Sequence, residues 1–214
     1  MNYKRALFVV IILSLTAYLF LHWQNKPQIK NADSAGTNII AFGDSLVYGT
    51  GASAPGQTDM FSLVSKDLGV SIINKGVPGD TTQDGLNRLD QDVLQQDPRI
   101  VLVLLGGNDY LQKLPKETTF DNLSQIIEKI ENAGAAVILI GVRGGAFVDR
   151  FEEDYKKLSL KYKTGYVPNI LEGLITNRDY MYDSVHPNDK GYKIAAMRIE
   201  PVLKQVLGEG GKSQ

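Results

Sequence analysis

Two short stretches of this chain contain no polar residue: Ile100–Leu105 reads IVLVLL and Ala136–Ile140 reads AVILI. A strand that is apolar on both faces needs cover on both faces. That condition is met at the centre of a parallel sheet with helices on either side. The rest of the pattern agrees. Asn38–Phe42 and Val70–Asn74 read as further strands, and Gly165–Val167 as a short edge strand. Helices are predicted over Gln57–Leu68, Thr81–Gln96, Phe120–Ala133, Asp149–Tyr162 and Asn188–Val206. The third carries Leu123, Ile126, Ile127 and Ile130 at helical spacing. Pro98 is expected to stop the second helix and Gly134 to end the third. Strands alternating with amphipathic helices imply right-handed crossovers and an α/β fold.

Ahead of this pattern lies a different segment. Lys4 and Arg5 precede an uncharged apolar run, Ala6–Trp23. As a helix it would span about 27 Å, close to one hydrocarbon core. It ends in Phe20, Leu21, His22 and Trp23, without a small-x-small cleavage site. It therefore reads as a transmembrane anchor in preference to a cleaved signal segment. Lys4 and Arg5 would stay in the cytoplasm, with the remainder outside, membrane-anchored, or secreted if the segment is removed. The expected plan is a cytoplasmic n-region at 1–5, an anchor or signal segment at 6–23, a linker at 24–37, one folded domain at 38–207 and a flexible tail at 208–214.

Composition removes several kinds of chemistry. There is no cysteine, so thiolate nucleophiles, disulfides and cysteine-bound zinc are excluded. The formal net charge of −1 gives no concentrated basic face for a nucleic-acid partner. Only two histidines occur, His22 in the apolar run and His186 in the folded part. Any imidazole chemistry in the domain falls to His186.

Ligands of open α/β sheets bind beyond the carboxyl ends of the strands. Four clusters fall there or just before the last helix: Gly43-Asp44-Ser45-Leu46, Gly76–Thr81, Gly106-Gly107-Asn108-Asp109, and Asp183-Ser184-Val185-His186-Pro187. A serine on a strand-to-helix turn is exposed, but its hydroxyl needs a base. His186 can supply one, with Asp183 three residues earlier to fix the tautomer. The backbone N–H groups of Ser45 and Gly79 and the amide of Asn108 are candidate oxyanion donors. Asp44 is expected to cap the following turn. Each cluster alone is also ordinary turn or cap chemistry. Their meeting at one sheet edge gives them joint weight.

These blocks resemble the SGNH subgroup of GDSL hydrolases, in particular the bacterial multifunctional acyl thioesterase/lysophospholipase/arylesterase branch. FGDSLVYGTG at 42–51 is similar to the first block, giving Ser45. Asn74–Thr81 is similar to the second, giving Gly79. Gly106–Asp109 matches G-G-N-D, giving Asn108. Asp183–Asn188 matches D-x-x-H-P-N, giving Asp183 and His186. The resemblance implies a flavodoxin-like three-layer α/β/α sandwich with five parallel strands. It also implies hydrolysis of acyl esters or thioesters through an acyl-serine, with no metal or other cofactor. The implied partner is a small acyl ester or lipid. The chain departs from that branch at Gly141–Phe147, where relatives carry a longer, Pro-rich loop. Phe147, Tyr110 and Leu111 are candidates for the acyl pocket or for simple loop packing.

Other readings stay open at this level. An O-acetyl esterase acting on cell-envelope polysaccharide would use aromatic platforms, for which Tyr48, Tyr110, Tyr180 and Tyr182 are candidates. A metallohydrolase would draw on Asp44, Asp109, Asp183 and His186. A binding module without catalysis would retain the fold alone.

Overall fold

The computed structural model describes residues 28–142 and 151–210, together with positions 8, 11, 13 and 14. The apolar run Ala6–Trp23 otherwise lies outside the described residues, as do residues 143–150, Phe147 among them. No helix among the described residues is long and apolar enough to cross a membrane.

The described residues form a five-stranded parallel sheet of β1 (Asn38–Gly43), β2 (Ile72–Gly76), β3 (Pro98–Leu104), β4 (Ala136–Ile140) and β5 (Gly165–Val167), in the order β2-β1-β3-β4-β5. The helices are α1 (Ser45–Tyr48), α2 (Met60–Leu68), α3 (Thr82–Asp92), α4 (Gly107–Leu111), α5 (Lys116–Asn132), α6 (Glu152–Tyr162) and α7 (Asp189–Gly210). The chain steps from β1 to β2 in one direction, and from β2 through β3 and β4 to β5 in the other. Right-handed crossovers therefore put α2 on one face and α3, α5 and α6 on the opposite face. In agreement, α2 packs on α7, while α3 packs on α5 and α5 on α6. The apolar runs are the fully covered strands. Every residue from Ile100 to Leu105 is inaccessible to solvent, and Ala136–Ile140 is buried throughout.

Element ends differ from the sequence expectation at several points: β2 runs Ile72–Gly76 and not Val70–Asn74, α5 begins at Lys116 and not Phe120, and caps move others. Asp59 accepts from Phe61 N and Ser62 N, so α2 begins at Met60 and not at Gln57. The helix expected over Thr81–Gln96 stops at Asp92 and continues as a 3₁₀ turn, Leu94–Gln96. Pro98 opens β3 after that turn and does not itself terminate the helix. Helix α7 runs to Gly210, so the boundary expected at 207 falls inside it.

The expected linker is docked from Ile29 onward. Ile29 and Ala32 are buried in the main core. Lys30 N donates to Lys163 O, and the Asn31 amide donates to Glu131 O and Ala135 O. Lys30 Nζ lies 2.7 Å from the Glu131 carboxylate. Thr37 N and Asn38 N both donate to Asp97 O. Asp97, Ala135 and Lys163 all precede strands, so this segment covers the amino edge of the sheet.

Candidate active site

At the carboxyl edge, β1 and β3 lead to helices α1 and α4. Chain direction diverges between these two strands, which is where open α/β sheets place their sites. Ser45 is the first residue of α1. Asp44 caps that helix, its Oδ1 accepting from Leu46 N at 3.0 Å. The short helix lies tight against β2: a Cβ at Gly76 would stand 2.2 Å from Tyr48 N. Asp44 is almost wholly buried, and burial pushes its carboxyl up to about 7.

His186 reaches Ser45 from the far end of the chain. Its Nε2 lies 2.8 Å from Ser45 Oγ, and its Nδ1 lies 2.7 Å from Asp183 Oδ2. The other Asp183 oxygen accepts from Val185 N and His186 N at 2.9 and 2.8 Å. Burial raises the Asp183 carboxyl, but the hydrogen bonds from His186 and these two backbone groups outweigh it, leaving it below the usual carboxylate range. The loop is set by an antiparallel bridge between Met181 and Pro187 and by Asn188. Asn188 Nδ2 donates to Asp179 O, and its Oδ1 accepts from Lys190 N. Two ties bind the start of α7 to the segment after Ser45. Asp189 accepts from Ser53 N, Ser53 Oγ and Thr58 Oγ1, and Tyr192 Oη donates to Thr50 O.

Gly79 follows β2 with φ +91, a conformation that favours glycine. A Cβ there would meet nothing within 4 Å, so backbone conformation and not crowding is what selects glycine. Asn108 sits in α4. Its Nδ2 donates to Asp80 O at 2.9 Å, with Asp44 Oδ2 farther off at 3.5 Å. Asp109 turns the other way. Its oxygens accept from Thr82 N (2.9 Å), Thr82 Oγ1 (2.5 Å) and Thr119 Oγ1 (3.2 Å), locking α4 to the start of α3 and to α5. Beneath α4, Tyr155 Oη donates to Leu105 O, and Phe120, Phe151 and Tyr155 pack edge to face.

Ser45, Gly79, Asn108 and His186 line one cleft of about 490 Å³. Its walls are mostly apolar and include Pro78, Tyr110, Leu111, Val142, Leu171 and Ile175. Asp183 stands behind His186. Tyr110 and Leu111 thus face the cleft, while Phe147 lies outside the described residues. Of the tyrosines considered as platforms, only Tyr110 is among the described lining residues. Asp44, Asp109, Asp183 and His186 do not converge. Among the described residues, no group of three or more such side chains could hold a metal ion.

Sequence reasoning passed over Arg88 and the Leu171–Ile175 wall. Arg88 sits one helical turn before Asp92, a spacing that signals an ion pair along the helix. The wall comes from a turn-rich stretch without periodicity.

Comparison with known proteins agrees with this architecture. Residues 41–194 match the GDSL-like Lipase/Acylhydrolase family. An arylesterase of Vibrio mimicus is 34% identical over 73% of this chain and 82% of its own length. The thioesterase 1/protease 1/lysophospholipase L1 of Escherichia coli is 31% identical over 72% of this chain and 77% of its own. A crystal structure of TesA superposes with a TM-score of 0.74 at 26% identity, covering 80% of this chain and 100% of that one.

Proposed function

The chain belongs to the GDSL-like lipase/acylhydrolase family and is a serine ester hydrolase, and on that footing we propose that Ser45 is its nucleophile, His186 its general base and Asp183 the carboxylate that orients the base. The observation that carries this reading is the unbroken series Ser45 Oγ, His186 and Asp183, with both contacts under 3 Å.

In this mechanism Ser45 Oγ attacks the acyl carbonyl carbon while His186 Nε2 takes its proton. The carbonyl oxygen becomes an oxyanion, met by the backbone N–H groups of Ser45 and Gly79 and by the Asn108 amide. Because one Asn108 N–H is held by Asp80 O at 2.9 Å, the amide plane is set, and its second N–H, which makes only a long 3.5 Å contact to Asp44 Oδ2, turns to this oxygen. The imidazolium then returns the proton to the departing alkoxide or thiolate, leaving an acyl-Ser45. Water repeats the sequence: His186 takes its proton, the acid is released and Ser45 is restored. Asp44 takes no proton in these steps; it fixes the turn that presents Ser45.

The substrate class we assign is an acyl ester or thioester with an apolar acyl group. The largely apolar cleft supports this assignment over the O-acetyl group of a glycan. The proposed site is extracytoplasmic, with residues 6–23 as an anchor. A panel of p-nitrophenyl esters from acetate to palmitate, with acyl thioesters and acetylated xylan, tests the substrate class. Greatest kcat/KM on a chain longer than acetate is expected. Acetate release from xylan with no activity on longer esters would overturn the assignment.

A further inference from the structure

Arg88 is not among the residues lining the cleft, yet its bonds converge on the segments that carry the proposed oxyanion donors. Its Nη2 donates to Gly43 O at 2.9 Å, two residues before Ser45. That same carbonyl also accepts from Val77 N, at the start of the loop that carries Gly79. Arg88 Nε donates to Asp80 Oδ2 at 2.6 Å, and Asp80 directly follows Gly79. The Asp80 carbonyl in turn accepts the Asn108 amide. Arg88 Nη1 bonds Asp92 Oδ2 at 2.8 Å, and the guanidinium lies 4.3 Å from the centroid of the Phe42 ring. The side chain is mostly buried, with 18% exposed. A surface ion pair would need one carboxylate. Here the planar fork is spread over two carboxylates and a strand-end carbonyl, a pattern lysine cannot reproduce.

We propose that Arg88 is a positioning residue for the oxyanion site, joining the Gly43–Ser45 turn, the Gly79–Asp80 loop and, through the Asp80 carbonyl, Asn108. This rests on the oxyanion roles given above. The physical reason is preorganisation. Donors fixed before the reaction stabilise a developing charge without having to move, and a displacement of about 1 Å can cost on the order of 100-fold in rate. Gly79 sits on the loop after β2 and Asn108 in α4, which follows β3. Asp80 is the residue that touches both, and Arg88 is the group that holds Asp80 to β1.

The test is a double-mutant cycle on the full chain, with kcat and KM for p-nitrophenyl butyrate measured well below each variant's melting temperature. Arg88→Met keeps an apolar stem over Phe42 and removes the three bonds. It is expected to lower kcat about 10- to 100-fold while KM changes less than about threefold. Arg88→Lys should recover only part of that loss. In an Asn108→Ala background, Arg88→Met should cost several-fold less than in the parent, because one of the three donors it positions is gone. If Arg88→Met melts too low to assay, Asp80→Asn, which weakens the grip from the other side, is read through the same cycle with the same expectation. Equal losses in both backgrounds, or kcat within about threefold of the parent, overturn the clamp. A loss of about 10²–10³ in Asn108→Ala beside an unaffected Arg88→Met overturns the clamp alone. An unaffected Asn108→Ala overturns the oxyanion assignment and the clamp with it.

Discussion

The His186 imidazole stands 2.8 Å from the Ser45 hydroxyl, although 141 positions separate them in the chain. The contact is maintained by groups that take no part in the chemistry, namely Asp189 on Ser53 and Thr58, and Tyr192 on Thr50. Ser45→Ala removes one hydroxyl and none of these ties. It should lower kcat by on the order of 10⁴ or more and abolish labelling by a fluorophosphonate, with an unchanged circular dichroism spectrum. Equal activity in the variant would refute the assignment of the nucleophile.

Asp44 gives a pH-dependent expectation. Burial lifts its carboxyl from the ordinary value of 3.8 to about 7. The unfolded chain therefore ionises this group first as pH rises. Its contribution to stability is most favourable at low pH and declines between about pH 4 and pH 7. Asp44→Asn stays neutral throughout and retains a capping side chain. Measured by urea unfolding, its stability relative to the parent should be about 2–3 kcal/mol more favourable at pH 8 than at pH 5. An identical difference at the two pH values would contradict this.

Asp109 is buried, and its three donors all lie inside the protein. Asp109→Ala leaves the Thr82 N–H and hydroxyl without their acceptor, while the Thr119 hydroxyl keeps Pro115 O. A loss of about 3–5 kcal/mol is expected in denaturant unfolding. Because Asp109 adjoins Asn108, kcat should also fall in the fraction that remains folded. A variant as stable as the parent would show that water replaces the carboxylate without penalty.

The docked segment at the amino edge is tested by Ile29→Ala. Ile29 is 7% exposed, and its truncation should cost about 2 kcal/mol, the lower end for a core isoleucine. An unchanged melting temperature would mean that residues 28–35 behave as a free tether.

The central strands were legible because β3 and β4 are apolar on both faces and nothing else satisfies that pattern. β2 was harder to place: it lies at the sheet edge, half exposed, and its alternation is broken by Asn74 and Lys75. Helix α4 could not be read from periodicity, since GNDYL is too short to show any; Tyr155 and the Asp109 bonds hold it by tertiary contact. Ser45, Gly79, Asn108, Asp183 and His186 were nameable from their blocks, and the structure places four of them on one cleft with Asp183 behind His186. Arg88 was not nameable, because a charged residue in the polar stripe of a helix is ordinarily solvated. Only the fold reveals that this stripe faces the end of β1 and the loop after β2.

The polypeptide enters the domain at its back. Lys30, Asn31 and Thr37 are fastened to residues that precede β5, β4 and β3, whereas Ser45, Gly79 and Asn108 follow the ends of β1, β2 and β3. The seven residues of β3 alone put about 23 Å between those two poles. Residue 28, where the continuous described chain begins, therefore belongs to the pole opposite the mouth of the cleft. On the proposal that residues 6–23 are an anchor, the cleft faces away from the anchored side, and esters arriving from the opposite side reach it first.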